Sequence, residues 1–178
     1  MNTVSSSDTT TEVPSTPSAF NSERVYELAS MSSKDLDKVF LRGTMPALPD
    51  LAGWEFRGFN QPAWARVAGI KKFIKGFFRE HGELYGFNYP AVQNGDREAW
   101  IKKHGGDEGK RFGYYHVAPV DPRSKENRYL HSVLLHYGEG GNHSLDPSAG
   151  IRDYLVQVDP DNRDLFLGKA YYKVGPIR

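Results

Sequence analysis

Between Gly53 and Arg79 the hydrophobic pattern changes its period once. Trp54, Phe56 and Gly58 alternate with Glu55, Arg57 and Phe59, a period of two that predicts a strand with one buried face. Asn60 and Pro62 follow, a capping residue and a proline suited to a first helical turn. Beyond them Trp64, Val67, Ile70, Ile74, Phe77 and Phe78 recur at steps of three or four, interleaved with Arg66, Lys71, Lys72, Lys75 and Arg79 and with no acidic residue. That spacing predicts a basic amphipathic helix over 62–79, about 25 Å long at about 1.5 Å per residue. Gly69 and Gly76 weaken it or mark close packing.

Elsewhere the pattern is shorter in range. Asn21 or Ser22 caps a short helix through Met31, and Ser33, Leu36, Val39 and Phe40 outline a second that ends near Gly43. The prolines of TMPALPDLAG predict an irregular connection. Strands are predicted at Leu84–Val92, Phe112–Val120 and Tyr129–Tyr137, with a polar, glycine-rich loop over 96–110. Asp153–Val158 and Leu165–Val174 flank the turn formers Asp159 to Asp164 and predict an antiparallel hairpin. The fold class that results is α+β: a strongly curved antiparallel sheet or partial β-barrel of about six strands, with one long amphipathic helix and short N-terminal helices.

Residues 1–20 are Ser, Thr and Pro with few apolar side chains, which predicts a disordered tail ahead of a single domain over 21–178. The tail lacks the basic start and apolar run of a secretory signal, and no stretch approaches the roughly 18 apolar residues of a membrane span. The expectation is a soluble, cytoplasmic protein. A net charge of +1 argues against nucleic acid as a partner and confines any cationic function to a local patch such as 62–79, which would suit an anionic membrane or a protein partner. Without cysteine there is no disulfide, thiolate nucleophile or Cys-ligated metal.

Histidines supply the candidate chemistry. His131 and His136, five apart on a predicted strand, point to opposite faces, and His116 on the preceding strand can face either. With Glu139 or Asp146 such a pair would make a metal or acid–base site, yet no metal-spacing signature is present and no metal or cofactor is expected. Gly138-Glu139-Gly140-Gly141 lacks the strand–loop–helix setting of a phosphate cradle, the serines lack a nucleophile elbow, and Asp159, Asp161 and Asp164 fit a turn better than a calcium loop. Aromatic residues make up 13% of the chain. Trp54, Phe56, Tyr85, Phe87, Tyr114, Tyr129 and Tyr154 are the expected lining of an interior pocket for a small apolar molecule.

Adjacent Gly53 and Trp54 open the first strand after a short helix and before an antiparallel series. This resembles the calycin group of lipocalins and fatty-acid-binding proteins, whose usual signature is Gly-x-Trp, with one residue between. The resemblance covers a few residues and implies a barrel that holds a hydrophobic ligand, with Trp54 as a structural residue. The leading expectation is noncatalytic binding of a small hydrophobic or aromatic ligand in the barrel interior. Its rivals are an enzyme using His116, His131 or His136 as acid–base groups, and a membrane or protein adaptor working through 62–79. The chain's last strand leaves an edge that could pair two copies into a homodimer.

Overall fold

The computed structural model describes residues 19–62, 65, 67–103, 110–143 and 145–172. Among the described residues the architecture is α+β, with three α-helices and seven strands rather than about six. The helices are α1 (Ala19–Ser30), α2 (Ser33–Arg42) and α3 (Leu48–Leu51), and the strands are β1 (Glu55–Phe59), β2 (Lys72–Glu80), β3 (Glu83–Pro90), β4 (Phe112–Pro119), β5 (Val133–His136), β6 (Ile151–Gln157) and β7 (Phe166–Tyr172). Each strand pairs antiparallel with its successor, in the order β1-β2-β3-β4-β5-β6-β7. The sheet curls into a half-barrel. Among the described residues β1 and β7 do not pair with one another, although Phe56 of β1 and Phe166 of β7 meet edge to face at 5.0 Å.

The long helix expected over 62–79 does not form. Residues 72–80 are β2, whose alternate side chains go to opposite faces of the sheet: Lys72 and Ile74 to one, Lys75 and Phe77 to the other. Ala65 and Val67 are helical, whereas Trp64 lies outside the described residues. The period of three and four arose because both faces of this strand are buried, so apolar residues occur in both registers. Two residues, His81 at φ 50° and Gly82 at φ 86°, turn β2 into β3. Positive φ at both central positions is the geometry that follows the natural twist of a hairpin.

Of the remaining expectations, α2 begins where the capping pattern put it: the Ser32 side chain accepts from the Asp35 backbone N–H. The β6–β7 hairpin is present in the expected place. β5 is shorter than Tyr129–Tyr137, because residues 129–132 form a turn in which the Ser132 hydroxyl donates to the Tyr129 carbonyl. The tail expected over 1–20 lies outside the described residues up to 18, and Ala19 and Phe20 begin α1.

Residues paired across the sheet share a face, and cross-sheet contacts identify which face is concave. Phe77, Leu84, Tyr115, Val117, Val133, Leu135 and Leu155 form one buried cluster inside the curl, with the half-buried Phe56 packed against it and Leu51 of α3 closing one end. On the convex side Phe40 of α2 packs on Tyr154 and Val156, and a separate cluster of Ile74, Phe87 and Tyr89 backs β2 and β3. Curvature needs close approach: at Gly86 a Cβ would stand 2.1 Å from the Tyr115 ring and 2.5 Å from the Gly76 carbonyl oxygen. Gly86→Ala is therefore expected to lower unfolding free energy by about 1–3 kcal/mol, read as a reduced urea midpoint at unchanged m-value. A wild-type midpoint would show that Tyr115 is not packed on this glycine.

Candidate functional site

Lys75 is the anomaly of the concave face. It sits mid-strand on β2 and is only 8% exposed. Its Nζ donates to the Tyr137 hydroxyl at 2.9 Å and to Asp153 Oδ2 at 3.2 Å, which links β2 to β6 across the hollow of the sheet. Asn88 on β3 adds a bond from Nδ2 to the same hydroxyl at 3.2 Å and a second to the Gly113 carbonyl at 2.9 Å. Aromatic faces surround the ammonium, with the Tyr115 centroid at 4.5 Å and that of Tyr137 at 5.4 Å. The interior thus has two tiers: an apolar one under α3, and a polar one of Lys75, Asn88, Tyr137 and Asp153.

Local sequence explains how the network assembles. β2, β3 and β6 present Lys75, Asn88 and Asp153 inward by simple alternation. Tyr137 arrives from the 3₁₀ turn Tyr137–Glu139 that ends β5. Asn142 secures that turn by donating to the Tyr114 and Tyr137 carbonyls at 2.6 and 2.7 Å. Burial works to depress the Lys75 ammonium, but Tyr137 and Asp153 outweigh it and hold the group above the ordinary lysine range. Burial first, then the neighbouring Tyr137 and Asp153, pushes the Tyr115 phenol well up. Lys75 is therefore a charged donor rather than a neutral nucleophile.

Glycine and alanine are the β7 residues that border this tier. Gly168 and Ala170 are exposed, and they pair with Leu155 and Asp153 on the concave face. At Gly168 a Cβ would come within 2.9 Å of Asp153 Oδ1. On the β1 side the Phe73 ring lies over Gly58, where a Cβ would be 2.3 Å from it.

The aromatic positions expected to line the interior divide unevenly. Phe56 faces the concave side, and Trp54 precedes β1 and is 40% exposed. Tyr85, Phe87, Tyr114, Tyr129 and Tyr154 all lie on the convex face, Tyr85 against His116, Phe87 and Tyr114 together, and Tyr129 and Tyr154 under α2. The reason is a one-residue choice of face: Tyr115, not Tyr114, points inward. Sequence reading also missed Lys75 and Asp153. The available signal was a lysine inside the apolar stretch Phe73-Ile74-Lys75-Gly76-Phe77-Phe78 and an aspartate in the apolar run Asp153-Tyr154-Leu155-Val156.

The histidines separate as well. His116 and His136 are cross-strand partners, on the convex face. Glu139 stands 3.5 Å from His116 Nδ1 and 3.5 Å from His136 Nε2, and Glu83 is 2.7 Å from His116 Nε2. His131 is elsewhere, its Nε2 3.2 Å from the Phe40 carbonyl oxygen. Asp146 does not join the pair; it caps a short 3₁₀ turn through the Ser148 N–H. Among the described residues no three His, Asp or Glu side chains converge to hold a metal ion. A cleft of about 150 Å³ lies apart from both clusters, between Lys71, Lys72, Gln93, Asn94 and Asp96.

No family model, curated relative or solved structure matches the chain. Among the described residues no helix is long and apolar enough to cross a membrane.

Two outcomes follow from the electrostatics. Lys75→Met strands Asp153 in the interior and is expected to cost about 3–5 kcal/mol, while the double variant Lys75→Met/Asp153→Leu regains at least half of that. Denaturant titration of the three proteins decides it; a harmless single substitution would contradict the burial. His136, depressed by burial and then by Arg152 against the opposing pull of Glu139 and Glu126, takes up its proton more readily when unfolded. Its contribution is complete above the unfolded pKa of about 6.5 and is lost as pH falls from there toward the lower folded value. The melting temperature of wild type should therefore drop more steeply below pH 6.5 than that of His136→Gln.

Proposed function

We propose that the protein binds a small, largely apolar molecule on the concave face of its half-barrel and does not transform it. The observation that carries this is the Lys75–Asp153–Tyr137 network, held in an aromatic hollow beside the exposed Gly168 and Ala170 of β7. A buried ion pair adds little stability over apolar side chains of the same volume, so its place in this hollow is better accounted for by a ligand with a polar end. Concave, mainly apolar surfaces with a few convergent polar groups are the usual form of such sites. The reading agrees with the calycin resemblance in kind, but moves the lining to Phe56, Phe73 and Tyr137. Self-association, if it accompanies binding, would run through the β1 and β7 edges.

Acid–base catalysis by His116 and His136 is the second reading, supported by their shared carboxylate Glu139. It ranks lower because the pair lies on the convex face, away from the hollow. The adaptor reading loses its basis, since Lys72 and Lys75 are buried on opposite faces of a strand.

N-phenyl-1-naphthylamine, a neutral apolar fluorophore, is expected to bind with a saturable rise in emission. Ala170→Trp, a change at an exposed position beside Asp153, should weaken that binding at least tenfold, and His136→Gln should leave it unchanged. Native mass spectrometry of freshly purified protein is expected to show a retained small molecule. Absence of both signals in the wild-type protein would overturn the proposal.

A further inference from the structure

Resting on the concave-face reading, we infer that the ligand presents a neutral hydroxyl head, carried on an aromatic or alicyclic body, to Asp153 and Tyr137. The argument is a count of unspent hydrogen-bonding capacity. Asn88 Nδ2 spends its two protons on Tyr137 and Gly113. The Tyr137 oxygen accepts from both Lys75 and Asn88. Among the described residues its own proton has no acceptor, although a phenol carries one donor. Asp153 receives Lys75 on Oδ2. Its Oδ1 accepts no bond among the described residues and faces the exposed Gly168. One donor and one acceptor are thus left over on either side of a single ammonium.

Charge then selects the head group. Lys75 and Asp153 balance one another, so an ammonium head would sit beside a buried cation and a carboxylate head beside a buried anion. Either would leave an uncompensated charge in the hollow, which is strongly unfavourable. A hydroxyl donates once and accepts twice, which lets it bond Asp153 Oδ1 and take the Tyr137 proton with no change of charge. Behind the head, the half-buried Phe73 offers a ring, and Gly58, Gly168 and Ala170 add no bulk. A site with hydrogen-bonding groups left unpaired also rejects an analogue that lacks the matching group.

Calorimetric titration at pH 7 with 1-naphthol, 1-methoxynaphthalene and 1-naphthoate tests the inference, since the three share a body and differ in the head. 1-Naphthol is expected to bind at least tenfold more tightly than either of the others. The preference should disappear in Tyr137→Phe and in the double variant Lys75→Met/Asp153→Leu. If 1-methoxynaphthalene or 1-naphthoate binds wild type as tightly as 1-naphthol, the hydroxyl head is wrong while binding on the concave face stands. If none of the three binds but N-phenyl-1-naphthylamine does, the inference again fails alone. Failure of all four probes removes the inference together with the reading beneath it.

Discussion

The polar interior of the half-barrel is organised around the bond that Lys75 makes across it. Among the described residues the first and last strands of this seven-stranded meander do not pair, and the ion pair from β2 to Asp153 on β6 spans the hollow of the sheet. The pair is tolerated in the interior because neither partner is left alone. The ammonium has Tyr137 as a second acceptor and the Tyr115 ring beside it, and Tyr137 is in turn held by Asn88. Coulombic attraction grows as water is excluded, but so does the cost of stripping each ion of its hydration. The extra hydrogen bonds decide the balance. The apolar tier beneath supplies the hydrophobic part: Phe77, Leu84, Val117, Val133, Leu135 and Leu155 are buried together, with Leu51 of α3 over their open end.

Curvature and chemistry are coupled through small residues. The β3–β4 register shifts between Gly86 and Asn88, and Gly113 opposite it takes φ 53°. A bulge of this kind bends the sheet and re-aims a side chain. The Tyr115 hydroxyl passes over Gly86 to donate to the Gly76 carbonyl at 2.9 Å, so two glycines on neighbouring strands make room for one buried ring. The extra residue lies on β4, where the Gly113 carbonyl accepts from Asn88 Nδ2. The bulge that bends the sheet is therefore also bonded to the polar tier.

Much of this could be read from the sequence, and what could not has identifiable causes. Alternation found β1, β3, β4 and the β6–β7 hairpin, and the capping pattern found α2, because these signals are local. β2 was missed because a strand buried on both faces carries apolar residues in both registers, and two lysines within it imitate the solvated side of a helix. The His81-Gly82 dipeptide was the local sign of a hairpin turn, and it outweighs the accidental spacing of Ile70, Ile74 and Phe77. Assigning faces is a harder problem. Period two tells that Tyr114 and Tyr115 part company, but which of them points inward is set by the hand of the curl and by α2 lying on the convex side. That is why the expected lining, from Tyr85 to Tyr154, went to the wrong face, and why Lys75 and Asp153, separated by most of the sheet, did not appear as a pair.

Lys72 and Lys75, three residues apart on β2, show how a buried charge that is structural differs from one with chemistry to spare. Lys72 Nζ lies within hydrogen-bonding distance of Asn94 Oδ1 and of the Gly95, Glu98 and Ala99 carbonyls, and the Trp100 ring covers it at 4.1 Å. Gln93 completes the arrangement by bonding the backbone N–H and C=O of Lys72 as a neighbouring strand would. Burial lowers this lysine, with Asp96 and Glu98 pulling the other way, and no capacity is left for a further partner. An ammonium with this many oxygens works as a clip that fixes the loop over 93–100. Lys75 has two acceptors, and among the described residues the groups it holds, Tyr137 and Asp153, still have a proton and a lone pair uncommitted beside the exposed Gly168 and Ala170. Saturation is the criterion that separates them: a buried charge whose surroundings are complete explains itself through the fold, whereas one whose partners remain unfinished points outward, to something the protein holds.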